Sequence, residues 1–325
     1  CSSDLLEPSA AAEYLAALRE TMAHQVLPTD RWPGFDIRVS RLDERRTRLH
    51  VSIDLVHIDG GSVMMLLTEW VSLYHDPSLS LPTITISYRD YVLAEAALQQ
   101  SPSYQASLEY WRQRVEQLPP APELPLATSP GALTRTRFVH RTAKIPDEVW
   151  TRVKLRAAEL DLTSAAVLAS VYADVLAAWS RQPSFTLNVT VFNRMPLHPE
   201  VDRILGDFTS MILLGVDGAS GRSFAARTRA IQQQLWADLE HHEVSGVRVV
   251  RELARVRRQY DGAVMPIVFT NMLNLRSKGF SSLYTALERL GEVAFTVMMT
   301  PQVWIDYQVH EDAEGLRLTD RKSVV

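Results

Sequence analysis

The sequence predicts a mixed α/β (α+β) protein built in two lobes, and three observations carry that reading. Segments with period-two apolar alternation are interspersed with helical segments of a dozen residues or more. The chain has 325 residues, beyond the roughly 250–300 at which a single core commonly divides. Four prolines fall within residues 118–126, a run that neither a helix nor a central strand accommodates. The expected organisation is a first lobe over 1–118, a proline-rich linker over 119–130 and a second lobe over 131–319.

Along the chain, residues 10–24 read as a helix. Leu49, Val51, Ile53 and Leu55 alternate with His50, Ser52 and Asp54, the pattern of a half-buried strand. Gly60-Gly61 makes a turn, and Ser62 is placed to cap a helix over 63–74. Residues 104–117 form a further helix that runs into the prolines. Beyond them, 146–160 and 163–179 read as helices, the second apolar nearly all round and hence buried. Phe185, Leu187, Val189 and Val191 alternate with Thr186, Asn188 and Thr190, again a strand. Helices over 223–240 and 247–260 follow, then strands over 264–270, 293–299 and 303–309.

Composition excludes several classes. With 46% hydrophobic and 22% charged residues the chain is too apolar for disorder. Its net charge of −4 gives no footprint for nucleic acid. Cys1 is the single cysteine, which rules out an internal disulfide and any cysteine-based metal cluster. No apolar run reaches the roughly 18 residues that span a bilayer, so no membrane partner is expected and a cytoplasmic protein is. Cys1-Ser2-Ser3-Asp4 superficially resembles the mature end of a lipid-anchored protein. A helix follows almost at once, and a chain cut inside a larger protein is the better reading. Residues 320–325, Asp-Arg-Lys-Ser-Val-Val, read as a translated sequencing adapter and stand outside the expected fold.

Phosphate-loop, nucleophile-elbow and zinc-helix motifs are missing. His241-His242-Glu243 is the densest His/Glu cluster, but neighbours at a helix end point apart, so no metal site is expected. The runs 45–48 and 255–258 are basic without interleaved aromatics and read as solvated faces that could steer an acidic partner. Asp54 and Asp59 lie five residues apart across a strand end and a turn. Spacing alone leaves both a structural and a catalytic role open for them.

Asp54, Asp59 and Ser62 match D-x-x-x-x-D-x-x-S, and with that the sequence resembles the heterocyclization (cyclization) domains of nonribosomal peptide synthetases. These are relatives of condensation domains, which carry H-H-x-x-x-D-G here. Leu55 stands where the second histidine would be, and His57 is out of register with either. The other motifs follow in order: the prolines of 118–126; Phe185 to Arg194 with Pro196 and His198-Pro199; Gly206-Asp207-Phe208-Thr209; Phe269-Thr270; and residues 300–306, similar to T-P-Q-V-W-L-D.

The resemblance implies a two-lobed chloramphenicol-acetyltransferase-like fold with a tunnel between the lobes. Donor and acceptor carrier-protein domains would enter it from opposite ends, and an adenylation domain would lie adjacent. It implies no metal and no cofactor bound by the domain; the phosphopantetheine arms belong to the carriers. The reaction would join a carrier-bound thioester to carrier-bound Cys, Ser or Thr and then cyclodehydrate the product to a thiazoline or oxazoline. The residues implied for cyclodehydration are Asp306 and Thr270. Asn188, Asn193, Asn271 and Gln302 are expected to line the tunnel or position substrate. Asp59 is expected to be structural, paired with an arginine buried between the lobes.

Three departures put cyclization in question. Asn271 replaces the serine of F-T-S, Met298-Met299 replaces a polar S-Q pair, and Tyr307 replaces a histidine. The family's opening and closing motifs also fall outside the chain. A condensation-only domain and a noncatalytic carrier-recruiting domain of the same fold are the alternatives.

Overall fold

The structure is a computed structural model. It describes residues 7–128, 138–218, 222–258, 263–273, 287, 289–300 and 302–323. Before the prolines come helix α1 (Pro8–His24), strands β1 (Phe35–Arg41) and β2 (Thr47–Ile53), and helices α2 (Gly60–His75), α3 (Tyr88–Leu98) and α4 (Pro102–Gln117). After them come β3 (Phe138–Pro146), α5 (Asp147–Glu159), α6 (Ser164–Trp179), β4 (Ser184–Phe192) and β5 (Thr209–Asp217). Helices α7 (Phe224–Glu240) and α8 (Gly246–Arg257) then lead to β6 (Ile267–Asn271), β7 (Ile305–Asp312) and β8 (Gly315–Ser323).

Helix starts follow local chemistry. Ser87, Ser101, Thr163, Ser223 and Ser245 each accept a backbone N–H of the first turn of their helix, satisfying donors that a helix start leaves orphaned. At α2 the cap is Asp59 rather than the predicted Ser62. Asp59 Oδ1 accepts the Ser62 N–H at 2.7 Å, so Ser62 lies inside the first turn and its hydroxyl is free for a longer-range bond.

Two sheets result. β1 and β2 pair antiparallel as an isolated hairpin, while six strands form a mixed sheet in the order β3-β8-β7-β6-β4-β5. Within it β4–β6 and β6–β7 are parallel and the other pairs antiparallel. Helices α5, α6 and α7 cover one face, where Trp150, Tyr172, Leu176 and Ile231 meet Phe185, Leu187, Phe269 and Val309. Helices α4 and α8 cover the β4–β5 end of the other face, with Trp111, Leu108, Val249 and Leu253 against Leu213. Helix α4 therefore packs with the large sheet although it precedes the prolines. The prolines run extended along β4: Thr186 donates its N–H to Pro120 O and its hydroxyl to Pro119 O. Arg257 ties down the Leu118 and Pro119 carbonyls from α8.

Several expectations are corrected. Helix α6 is not buried all round, since Val171, Val175 and Trp179 form an exposed stripe and only the opposite side meets the sheet. Residues 293–299 form no strand; their alternation finds no partner edge among the described residues, and a strand exists only through its ladder. Asp54 lies beyond the end of β2, where Asp54 Oδ1 accepts the Val56 N–H. Residues 320–323 complete β8 opposite β3 and β7; 324–325 lie outside the described residues, as do 1–6. No single helix among the described residues is long and apolar enough to cross a membrane.

Candidate active site

The D-x-x-x-x-D-x-x-S motif is held by a clasp. The Asp59 N–H donates to Gly206 O, and Asp59 Oδ2 accepts the Phe208 N–H at 3.1 Å. The Ser62 hydroxyl donates to Gly206 O at 2.9 Å and in turn accepts from Arg194 Nη2 at 2.7 Å. Arg194 also donates to the Val201 and Ile204 carbonyls and lies over the Phe208 ring at 3.9 Å. Its nearest approach to Asp59 is 3.7 Å, with 8% and 1% of the two side chains exposed. Burial pushes the Arg194 guanidinium down from its ordinary value, and the Asp59 charge opposes that shift. Gly206 is required here because a Cβ would sit 2.1 Å from the Tyr88 ring. Asp59 and Ser62 thus join the start of α2 to the segment 206–208.

A different arrangement occupies the large sheet. The parallel pairing sets Thr190 opposite Thr270 and Val268 opposite Asp306, with Gln308 opposite Thr270. Side chains two apart on a strand share a face. Asn188, Thr190, Thr270, Asp306 and Gln308 therefore stand on the sheet face opposite the α5–α7 core. The Thr270 hydroxyl donates to Asp306 Oδ1 at 2.9 Å, Gln308 Nε2 donates to Asp306 Oδ2 at 3.0 Å, and Thr190 Oγ1 lies 3.0 Å from Thr270 Oγ1. Arg321 also donates to Asp306 Oδ2; it belongs to the tail that reads as foreign sequence. Asp306 and Thr270 are each 6% exposed. Hydroxyl and amide donors thus fix both oxygens of this carboxylate, a group of the kind that exchanges protons with a molecule bound beside it.

The remaining candidates separate. Asn188 is beside this group: its Nδ2 reaches Met265 O at 3.5 Å, while its buried Oδ1 has no hydrogen-bond partner among the described residues. Asn193 lies beyond the end of β4 and bonds the His242 carbonyl at 3.0 Å, a bracing contact away from Asp306. Asn271 is turned back on its own chain, its Oδ1 accepting the Leu273 N–H at 3.0 Å. As the neighbour of Thr270 it faces away from the carboxylate. Gln302 is exposed in a turn. Tyr307 stacks on Tyr172 at 4.7 Å in the opposite core, where burial pushes its phenol up. Neither Asn271 nor Tyr307 touches the Thr270–Asp306 pair. His241 stacks on Tyr110 and bonds Ser107, and no group of metal-ligating side chains occurs among the described residues. Sequence reasoning assigned no site role to Thr190, Gln308 or Arg194. Period two places the first two on the polar face, yet which strands adjoin is a long-range property.

The mixed six-stranded sheet flanked by helices is that of the condensation-domain class. The Condensation domain family model matches residues 5–297, and the chain belongs to that family. It is 37% identical over 318 residues to pyochelin synthetase PchF of Pseudomonas aeruginosa, spanning 96% of this chain and 17% of that protein. It is 36% identical over 305 residues to phenyloxazoline synthase MbtB of Mycolicibacterium paratuberculosis, spanning 93% and 25%. Among solved structures it matches the EpoB cyclization-docking bidomain from Sorangium cellulosum with a TM-score of 0.90 and 41% identity. That match covers 99% of this chain and 64% of the other. The chain thus spans a quarter or less of these curated relatives.

Proposed function

We propose that this chain is the heterocyclization domain of a nonribosomal peptide synthetase, working in the cytoplasm on carrier-bound substrates. The observation that carries the reading is the hydrogen-bonded Thr270–Asp306 pair on adjacent parallel strands, together with the cyclization-domain relatives. Two lobes, 1–118 and 131–319, joined by the linker 119–130, would enclose a tunnel that carrier proteins enter from opposite ends. Their phosphopantetheine arms would deliver both substrates, with an adjacent adenylation domain loading the acceptor. The domain binds no metal or organic cofactor of its own in this reading. Residues 320–325 read as foreign sequence although 320–323 pair in β8, so the assignment rests on Thr270 and Gln308 and not on Arg321.

In the first step the acceptor amine attacks the donor thioester. A C–N bond forms, the C–S bond breaks, and the amine proton leaves with the thiol. Placement of the two arms supplies most of that gain. The acceptor thiol or hydroxyl then adds to the new amide carbonyl, closing a ring that bears a hydroxyl. Asp306 takes the ring N–H proton, and its conjugate acid protonates the departing hydroxyl, which leaves as water while C=N forms. One carboxylate serves both halves and is regenerated. Thr270 and Gln308 hold it in place.

The test is a reconstitution of the complete parent module with loaded donor and Cys-, Ser- or Thr-loaded acceptor carriers. Release of a product one water lighter than the linear amide supports the reading. Linear amide alone would make this a condensation domain, and carrier binding without acyl transfer would make it a recruiting domain.

A further inference from the structure

We infer that Thr190 is a positioning residue for Asp306, acting through Thr270; the inference rests on the function proposed for that site. Thr190 and Thr270 are 80 residues apart in sequence and register partners on the parallel strands β4 and β6, with 3.0 Å between their hydroxyl oxygens. The contact leaves open which oxygen donates, and the neighbouring bond decides it. A hydroxyl has one proton, and an ionised carboxylate only accepts. The Thr270 proton is committed to Asp306 Oδ1 at 2.9 Å. Thr190 is therefore the donor to Thr270, and the two O–H dipoles point in series toward the carboxylate, each polarising the next.

This arrangement gives Thr190 a task that strand formation does not require. Threonine has competing χ1 wells, and the hydroxyl of Thr270 reaches Asp306 in the rotamer seen here. The donated bond from Thr190 favours that rotamer. Thr190 is half-buried, and its hydroxyl is one bond removed from Asp306. It acts on the carboxylate only by way of Thr270. If Thr190 served merely as a β-branched strand residue, valine would replace it without consequence.

Thr190→Val in the complete parent synthetase separates these roles, because it keeps shape and strand preference and removes only the hydroxyl. Ring closure is expected to slow about tenfold, the effect of losing one hydrogen bond to a polarised partner. Amide formation stays at the parental rate, and Thr190→Ser restores ring closure. The inference is overturned if the valine variant closes the ring at the parental rate, if amide formation falls in step with ring closure, or if serine fails to restore it. A crystal structure of Thr190→Val gives a second readout that needs no turnover. Rotation of the Thr270 hydroxyl away from Asp306 supports the inference, and an unchanged Thr270–Asp306 contact overturns it. If the parent itself releases only linear amide, the proposed function fails and this crystallographic readout still decides the role of Thr190.

Discussion

Asp59 and Arg194 face each other across 3.7 Å, but they are joined chiefly through third parties. Asp59 caps α2 and takes the Phe208 N–H, while Arg194 holds Ser62, two carbonyls and the Phe208 ring. Both side chains stabilise one junction between the α2 turn and the segment that follows β4. The charge pair itself is only one of its several bonds.

Asp59→Ala is expected to destabilise the protein severely, because it takes the Asp59 charge from the buried Arg194 and deprives α2 of its cap. Breaking a buried pair costs about 3–5 kcal/mol, a large share of the about 5–15 kcal/mol that holds a domain folded. Thermal melting of the complete domain should show a fall in Tm together with lower yield. Parental melting with lost activity would move Asp59 into the chemistry.

Asp306→Asn keeps the size of the side chain and removes the carboxylate to which the proposed function assigns proton transfer between ring nitrogen and leaving hydroxyl. In the parent module, ring formation should slow about 10²–10⁴-fold while amide formation falls much less, so linear amide accumulates. Mass analysis of released product checks this. Equal ring rates in the variant and the parent would assign proton transfer elsewhere.

The β1–β2 hairpin should drive self-association of residues 1–319 expressed alone. Phe35, Ile37, Val39, Leu49 and Val51 are all exposed, and the register sets Ile37 against Val51 and Val39 against Leu49 on one face. A contiguous apolar sheet face on a two-stranded ribbon is an association surface. Sedimentation should show oligomers, and Ile37→Lys with Val51→Lys should shift them toward monomer. A monodisperse parental monomer would count against this.

Asp238 is fully buried, and burial raises its carboxyl above the ordinary value against the opposing bonds from Tyr110, Gln234 and Arg114. Burial and the neighbouring Asp238 in turn push the Tyr110 phenol up to about 12. A raised folded value means that the folded state binds the proton more tightly than the unfolded one, so stability falls as pH rises through that window. The Tyr110, Gln234 and Arg114 bonds all fall on Oδ1, and Oδ2 has no partner among the described residues. Asparagine can retain its oxygen at Oδ1 and place a neutral amide at Oδ2. Asp238→Asn is therefore expected to raise Tm at neutral pH, with the gain closing below about pH 4, where a free carboxyl protonates. A variant less stable than the parent at neutral pH would contradict this.

The sequence alone was enough for whatever is local. Apolar patterning locates most helices, alternation marks β4, and the ordered motifs point to the family that residues 5–297 match. Period two also placed Asp306 and Gln308 on one face. Applied to Asn271, it would have shown that the lost serine hydroxyl lay on the wrong side to relay a proton. Neighbours across the sheet were not legible. Strands β1, β3, β5 and β8 go unpredicted by the sequence pattern, and the strand predicted over 293–299 has no edge to join among the described residues. Alternation tells which face a residue takes, whereas register and strand order are set by ladders between segments far apart in the chain. Only the tertiary structure decided that Thr190 meets Thr270, that Thr270 meets Asp306, and that the arginine facing Asp59 is Arg194.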